Sequence, residues 1–334
     1  MTTIRDVAKL ADVSVATVSR VLNQTGNVSP KTLQRVEAAI SQLNYQPNDV
    51  ARSLFKGRSK MIALFVPDIM NPFFPELARA AEDVASKHGY TFVLCNTDGD
   101  GEKELTYLKA LKQKSVDGII IVSSTLSKDA MAHLDLPIIA LDRKIGTNIA
   151  AVTVNNRKAA QQAVTHLQEV GCKRIAHIRG PQGASNAEDR MAGYIDIVGQ
   201  TDWFNPSFIC EGDYTADHAY KAALDLLQQH PEIDGIFAAN DLMGVGVLKA
   251  AAALGKKVPD ELAVIGFDGI ALGEVTIPTL STMAQPTYDI GARAAEMLIE
   301  HIDTYDLNRF VEPVEYEVKL IKRQSTERRT NDDK

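Results

Sequence analysis

From Met61 onward the chain alternates between short apolar runs and amphipathic stretches of helical period. The runs are MIALFVPD, YTFVLCNTD, DGIIIVSS and PIIALD, then RIAHIRG, GIFAAND and LAVIGFD. Each is apolar on both faces and bounded by glycine, proline or an acid, as expected of strands covered above and below. Between them lie helix patterns, such as residues 76–88 stopped by Gly89 and residues 157–170 stopped by Gly171. A strand, a helix and a further strand in the same direction close as a parallel sheet with helices on its faces. Seven strands over roughly 220 residues suit two doubly wound lobes better than one sheet. The chain is expected to cross between lobes near Val154-Asn155-Asn156 and to return near Gln285-Pro286. Lobe one then holds about 60–155 and 286–308, lobe two about 156–285 and 309–325, and residues 326–334 are a polar tail expected to fray.

Lobes of this kind bind ligands beyond the carboxyl ends of their strands. The first strand here ends in Asn71-Pro72-Phe73-Phe74, the fourth in Asp142-Arg143, the sixth in Asn240-Asp241 and the seventh in Asp268. The return crossing carries Gln285, Arg190 opens a helix after a long loop, and Tyr214 follows Gly212-Asp213. A sugar offers vicinal hydroxyls and an apolar C–H face. Carboxylates, amides and an arginine fork pair with the hydroxyls, and aromatic rings cover the carbon face. Singly, such a phenylalanine is core and such an aspartate is a helix cap. Converging on one predicted cleft, they point to a sugar site.

The first 60 residues have a different character. In residues 13–23, VSVATVSRVLN, Ser14 is an N-cap, Val18, Val21 and Leu22 recur at helical spacing, and Thr17, Ser19, Arg20 and Asn23 face solvent. A short helix precedes it, with Thr3 as N-cap and Asp6 three residues on. Two short helices about a three-residue turn make a helix-turn-helix, whose second helix enters the major groove. Ser29-Pro30 opens a third helix with Leu33, Val36, Ile40 and Leu43 at helical spacing, closing a core with Val7 and Val18. The segment YQPNDVARSLFKG then offers about two turns between Asn48 and Gly57, too few to persist alone in water. Either it is an ordinary linker, or it forms on DNA and pushes Leu54 between base steps of the minor groove.

Charge separates the two parts. Residues 1–60 carry nine lysines and arginines against four carboxylates, a net of +5, which leaves −12 for the remainder of a chain whose total is −7. A basic head on an acidic body is the electrostatic footprint of a phosphate-binding module. With 45% hydrophobic and 24% charged residues, the chain has an ordinary globular composition. It shows no apolar run of the roughly 18 residues needed to span a bilayer and no signal-peptide core, so a cytoplasmic location is expected. Cys95, Cys172 and Cys210 are odd in number and unclustered, which indicates neither disulfides nor a metal site.

From residue 2 to about residue 324 the chain resembles the lactose/galactose repressor family of bacterial transcriptional regulators, through TIRDVAKLADVSVATVSRVLN and LNYQPNDVARSL. The resemblance implies that Val15, Ala16 and Arg20 face base edges, and that Thr17, Ser19 and Asn23 lie near phosphates, with Ser14 at the same helix end. It implies that Leu54 is the minor-groove lever, flanked by Ala51 and Arg52. The helix-helix turn departs from the family pattern, with Asp12 where glycine is usual. Asparagine and aspartate tolerate a left-handed backbone better than most residues, at a cost of up to about 1 kcal/mol relative to glycine.

Within the family, the body is most similar to the ribose-responsive repressors and to periplasmic ribose-binding proteins, through NPFF, LDR, AEDR, AAND, GFD and the crossover glutamine. Asn71, Phe73, Phe74, Asp142, Arg143, Arg190, Asn240, Asp268 and Gln285 are the ribose contacts this implies, with Tyr214 near an aromatic position. Related repressors of sucrose and other sugars share several of these motifs, and some relatives are activated by a phosphorylated carrier protein. The resemblance implies a homodimer that binds operator DNA and needs no cofactor. The alanines Ala78, Ala80, Ala81 and Ala85 on one helix suit a close dimer contact or a core face equally, and no leucine heptad follows residue 310. An enzyme on the same lobes would need a phosphate loop or a catalytic cluster. The chain has no GxxxxGK[ST] and no HExxH, and its lone Gly244-Val245-Gly246 falls inside a helix pattern. His88, His166 and His177 are scattered and fit surface or core positions.

Overall fold

The computed structural model describes residues 2–23, 25–46, 58–122, 134, 136–143, 149–304 and 311–328, in two compact units that divide after Lys60. The predicted hinge residues Ala51, Arg52 and Leu54 lie outside the described residues, as does the side chain of Asn23.

The first unit is three helices, α1 (Ile4–Leu10), α2 (Val15–Asn23) and α3 (Pro30–Gln42). Each start is chemically marked. The Asp6 carboxylate accepts from the Thr3 N–H and hydroxyl at 2.8 and 2.7 Å, which holds its pKa below the usual range. Ser14 and Ser29 accept from the N–H groups of Thr17 and Thr32 at 3.1 and 3.2 Å. Val7, Ala8, Ala11, Val18, Val36 and Ala39 are the buried core. Leu33, expected in that core, is 38% exposed. The inward stripe of α3 starts one turn later, at Val36, with Ala39 as the small residue that lets the helices approach. Asp12 takes φ +51°, and Arg35 of α3 donates to the carbonyls of both Ala11 and Asp12. The strained turn is thereby tied to the third helix.

The second unit contains two sheets. The first has the order β11 (Val314–Tyr316), β5 (Ala150–Val154), β4 (Ile138–Leu141), β3 (Gly118–Ile121), β1 (Met61–Val66) and β2 (Thr91–Asn96), all parallel. The second has the order β12 (Lys319–Ile321), β10 (Ser281–Ala284), β9 (Ala263–Asp268), β8 (Gly235–Ala238), β6 (Ile175–Arg179) and β7 (Ile209–Glu211). It is parallel except for β12, which runs antiparallel to β10 along its edge.

Helices α4 (Phe73–Lys87) and α10 (Thr287–Thr304) pack into the core of the first sheet, while α6 (Asn156–Glu169) and α7 (Ser185–Val198) cover the second. The other face of each sheet is closed by α5 (Gly101–Gln113) in the first, and by α8 (Ala216–Gln229) and α9 (Asp241–Ala253) in the second. The chain thus passes between lobes at Asn155, returns at Gln285, and passes a third time between Tyr316 and Lys319. That last passage lies beyond the expected division at 309, because β11 pairs with β5 of lobe one.

One further expectation is corrected and one open alternative is resolved. Thr326 is 1% exposed, and its hydroxyl meets His166 Nε2 at 2.9 Å and Ser281 Oγ at 2.7 Å. Arg328 donates to the carbonyls of Pro259 and Asp234, so the packed chain continues through Arg328 instead of fraying at 326. The alanine stripe of α4 is a core face of this chain. Ala78, Ala80, Ala81 and Ala85 are buried, and a Cβ on Gly291 of α10 would stand 2.6 Å from the Leu77 carbonyl. The two glycines inside α9 also serve packing, since a Cβ at Gly246 would meet the Ala216 carbonyl at 2.3 Å.

Candidate functional site

The C-terminal ends of both sheets open on one cleft, a cavity of about 740 Å³, within the range of small-molecule sites. Lobe one contributes Asn71, Phe73, Phe74, Asp142 and Arg143, and lobe two contributes Arg190, Tyr214, Asn240 and Asp268. Gln285 stands behind them and reaches the cleft through Asp268.

Each side chain is placed by the element it ends or begins. Asn71 accepts from the Phe73 N–H at 3.1 Å, a turn that sets the start of α4. Phe73 and Phe74 follow edge to face, with ring centroids 5.3 Å apart. Asn240 caps α9 by accepting from the Met243 N–H at 2.8 Å, and its amide nitrogen donates to the Tyr214 carbonyl at 3.3 Å. Asp142, Tyr214 and Asp268 all hold positive φ, at +66°, +56° and +105°. With Asp98 at +54° and Asp213 at +51°, five non-glycine residues lining the cavity hold a left-handed backbone, a sign that side-chain direction there outweighs local comfort. Tyr214 needs a bare neighbour as well, because a Cβ on Gly180 would lie 2.5 Å from its ring.

Arg190 is the centre of charge. It is 2% exposed, donates from Nε to Asn156 Oδ1 at 2.8 Å and from Nη1 to the Ala239 carbonyl at 2.5 Å. Nη1 also faces Asp268 Oδ1 at 3.4 Å, and the guanidinium lies 3.7 Å over the Phe267 ring. Against it stand the buried carboxyls of Asp142 and Asp268, and a third buried carboxyl, Asp241, lies within reach of the Asp268 charge. Burial raises the pKa of all three, pushing Asp268 to about 7 and Asp241 to about 8, with the Asp268 charge adding to the effect on Asp241. Asp241 Oδ2 accepts from the Gly269 and Ile270 N–H groups at 2.7 and 2.8 Å, which fixes the turn carrying Asp268. A Cβ at Gly266 would fall 2.2 Å from its other oxygen, which explains the glycine of the GFD motif.

These pKa values set a sign for stability. A carboxyl raised from 3.8 to about 7 or 8 keeps a proton in the folded chain that the unfolded chain has released, so stability falls as pH rises through that interval. His177, lowered to about 3 by burial, has the opposite slope, and that slope is spent by about pH 6.5. Between about pH 6.5 and 8 the denaturation midpoint, read from the single tryptophan Trp203, should therefore fall. Asp241→Asn keeps an acceptor for Gly269 and Ile270 and should flatten the fall. An unchanged slope in that variant would disprove the assignment.

Two further residues serve the cleft from outside the strand-end motifs. Asn186 lines the cavity, and its spacing four residues before Arg190 places both on one face of α7. Asn156 anchors Arg190 from the first crossing. On the first unit, Ser14, Val15, Ala16 and Arg20 are exposed on or beside α2, while Thr17 and Ser19 are half-buried. Among the described residues, no group of histidine, cysteine, aspartate or glutamate is arranged to hold a metal ion, and no helix is long and apolar enough to cross a membrane.

Residues 3–48 match the family of bacterial regulatory proteins, lacI family, and residues 59–324 match periplasmic binding proteins and sugar binding domain of LacI family. The chain is 51% identical over 328 residues to the ribose operon repressor of Halalkalibacterium halodurans, covering 98% of this chain and 97% of that one. It is 40% identical over 301 residues to the ribose operon repressor of Bacillus subtilis, covering 90% and 91%. Among solved structures it is similar to the lac repressor dimer bound to operator and the anti-inducer ONPF, with 28% identity, a TM-score of 0.86, and 97% and 99% of the two chains covered.

Proposed function

Because the chain belongs to the lacI family of bacterial regulatory proteins, and is a sugar-responsive DNA-binding repressor, we propose that its effector is D-ribose, bound between the lobes of the second unit. The observation that carries this reading is the make-up of the cleft. Acceptors Asp142 and Asp268, the Arg190 fork and the crossed rings of Phe73 and Phe74 surround a single cavity. Carboxylates accept hydrogen bonds from hydroxyls, the guanidinium donates to ring or hydroxyl oxygens, and the rings cover the C–H face. The names of the two ribose operon repressors support a pentose over a disaccharide.

The repressor works as a homodimer on a two-fold operator, with α2 of each copy in the major groove and Leu54 entering a flexible pyrimidine–purine step. Ribose shifts operator affinity only by its differential affinity for the bound and released states. Calorimetry of the full chain with D-ribose, sucrose and glucose tests the effector. Ribose should give saturable heat, and heat from another sugar with none from ribose overturns the pentose assignment. Gel shifts test the other end. Leu54→Ala should weaken operator binding by on the order of 1–3 kcal/mol, and equal affinity of variant and wild type would sink the lever. Arg20→Ala should narrow the gap between operator and scrambled duplex, whereas Thr17→Ala should weaken both alike.

A further inference from the structure

A hydrogen bond crosses the cleft from one lobe to the other. Asn186, in the first turn of α7 in lobe two, donates from Nδ2 to Oδ2 of Asp142, just after β4 in lobe one, over 2.8 Å. Its Oδ1 accepts from the Tyr214 hydroxyl at 3.1 Å and from the Ala187 N–H at 2.9 Å. Asn186 is 4% exposed and Asp142 5%, so bulk water competes little for these bonds. The orientation of the amide follows from the chemistry of its partners. Turned over, it would set its nitrogen against the Ala187 N–H and its oxygen against a carboxylate. Asp142 is aimed by a φ of +66°, and with Oδ2 engaged its Oδ1 has no hydrogen-bond partner among the described residues.

We propose that Asn186 is a positioning residue of the sugar cleft that latches the lobes together and leaves Asp142 one acceptor, at a fixed angle, for a ligand hydroxyl. The proposal rests on the reading of the cleft as a sugar site. It assigns Asn186 two consequences beyond packing. The bond ties the lobes directly, so part of the ordering cost of closure does not fall on the sugar. And because one oxygen of Asp142 is committed, the cleft discriminates among sugars that differ only in the direction of one hydroxyl.

The test uses the full chain with spin labels at Lys109→Cys on α5 and Gln228→Cys on α8, one on each lobe, and calorimetry on the unlabelled chain. Without sugar, Asn186→Ala should lengthen and broaden the label-to-label distance. The swap of Asp142→Asn with Asn186→Asp rebuilds the donor–acceptor pair in reverse and should restore the wild-type distance. Asn186→Ala should also bind D-ribose about tenfold more weakly, and its preference for ribose over the epimers D-arabinose and D-xylose should shrink. Wild-type distances and wild-type epimer preference in Asn186→Ala would overturn the proposal, as would a swap that leaves the lobes apart. If no sugar gives heat with the wild-type chain, the sugar reading fails, and the distances still decide the latch.

Discussion

Arg190→Met is expected to be severely damaging, lowering the stability of the second unit by about 3–5 kcal/mol and, with ribose as the proposed effector, abolishing measurable ribose binding. Methionine fills much of the same space over the Phe267 ring, so the loss is one of charge and hydrogen bonds more than of volume. The guanidinium is the buried cation facing Asp268, and its field also reaches Asp142. Without it, Asn156 and the Ala239 carbonyl lose their donor, and buried carboxyls are left facing one another. Asp268, already pushed to about 7, escapes part of that cost by taking up a proton. The deficit should therefore be smaller at pH 6 than at pH 8. Urea unfolding followed at Trp203 at the two pH values measures both the loss and its direction. A loss below about 1 kcal/mol at pH 8 would show that the arginine does not offset these charges.

The strands that carry the cleft were legible because they are central. MIALFV, PIIALD, GIFAAND and LAVIGFD are buried on both faces, so the apolar run and its polar terminator both appear in sequence. The strands that were not read sit at or near sheet edges. β7, β11 and β12 have three residues each, β5 is a five-residue AAVTV next to the edge strand β11, and β10 is built on buried Ser281 and Thr282, the first bonded to the distant Ser325 and Thr326. A period-two or apolar-run signal does not exist over three residues, and a buried serine is read as surface unless its partner is known. The cleft divides in the same way. Asp142, Asn240 and Asp268 end strands and were visible as punctuation. Asn186 acts through partners 28 and 44 residues away, which no local pattern announces.

If ribose is the effector, as proposed, Asp268→Gly should give a repressor whose operator affinity no longer responds to ribose. Glycine is the informative replacement because Asp268 sits at φ +105°, where alanine would add backbone strain and glycine adds none. What remains is the loss of a charged acceptor in a buried site, about 1.5–3 kcal/mol, or ten- to a hundredfold in ribose affinity. The same change removes one of three buried carboxyls and frees Gln285 Nε2, so stability should not fall in step with affinity. That separation distinguishes a damaged site from a damaged fold. Calorimetry with ribose, Trp203 unfolding and gel shifts across a ribose titration should give weak binding, near-normal folding and an unresponsive complex. A change in operator affinity at the wild-type ribose concentration would mean that Asp268 does not hold the sugar, and that its strain and shifted pKa serve the Asp241 turn alone.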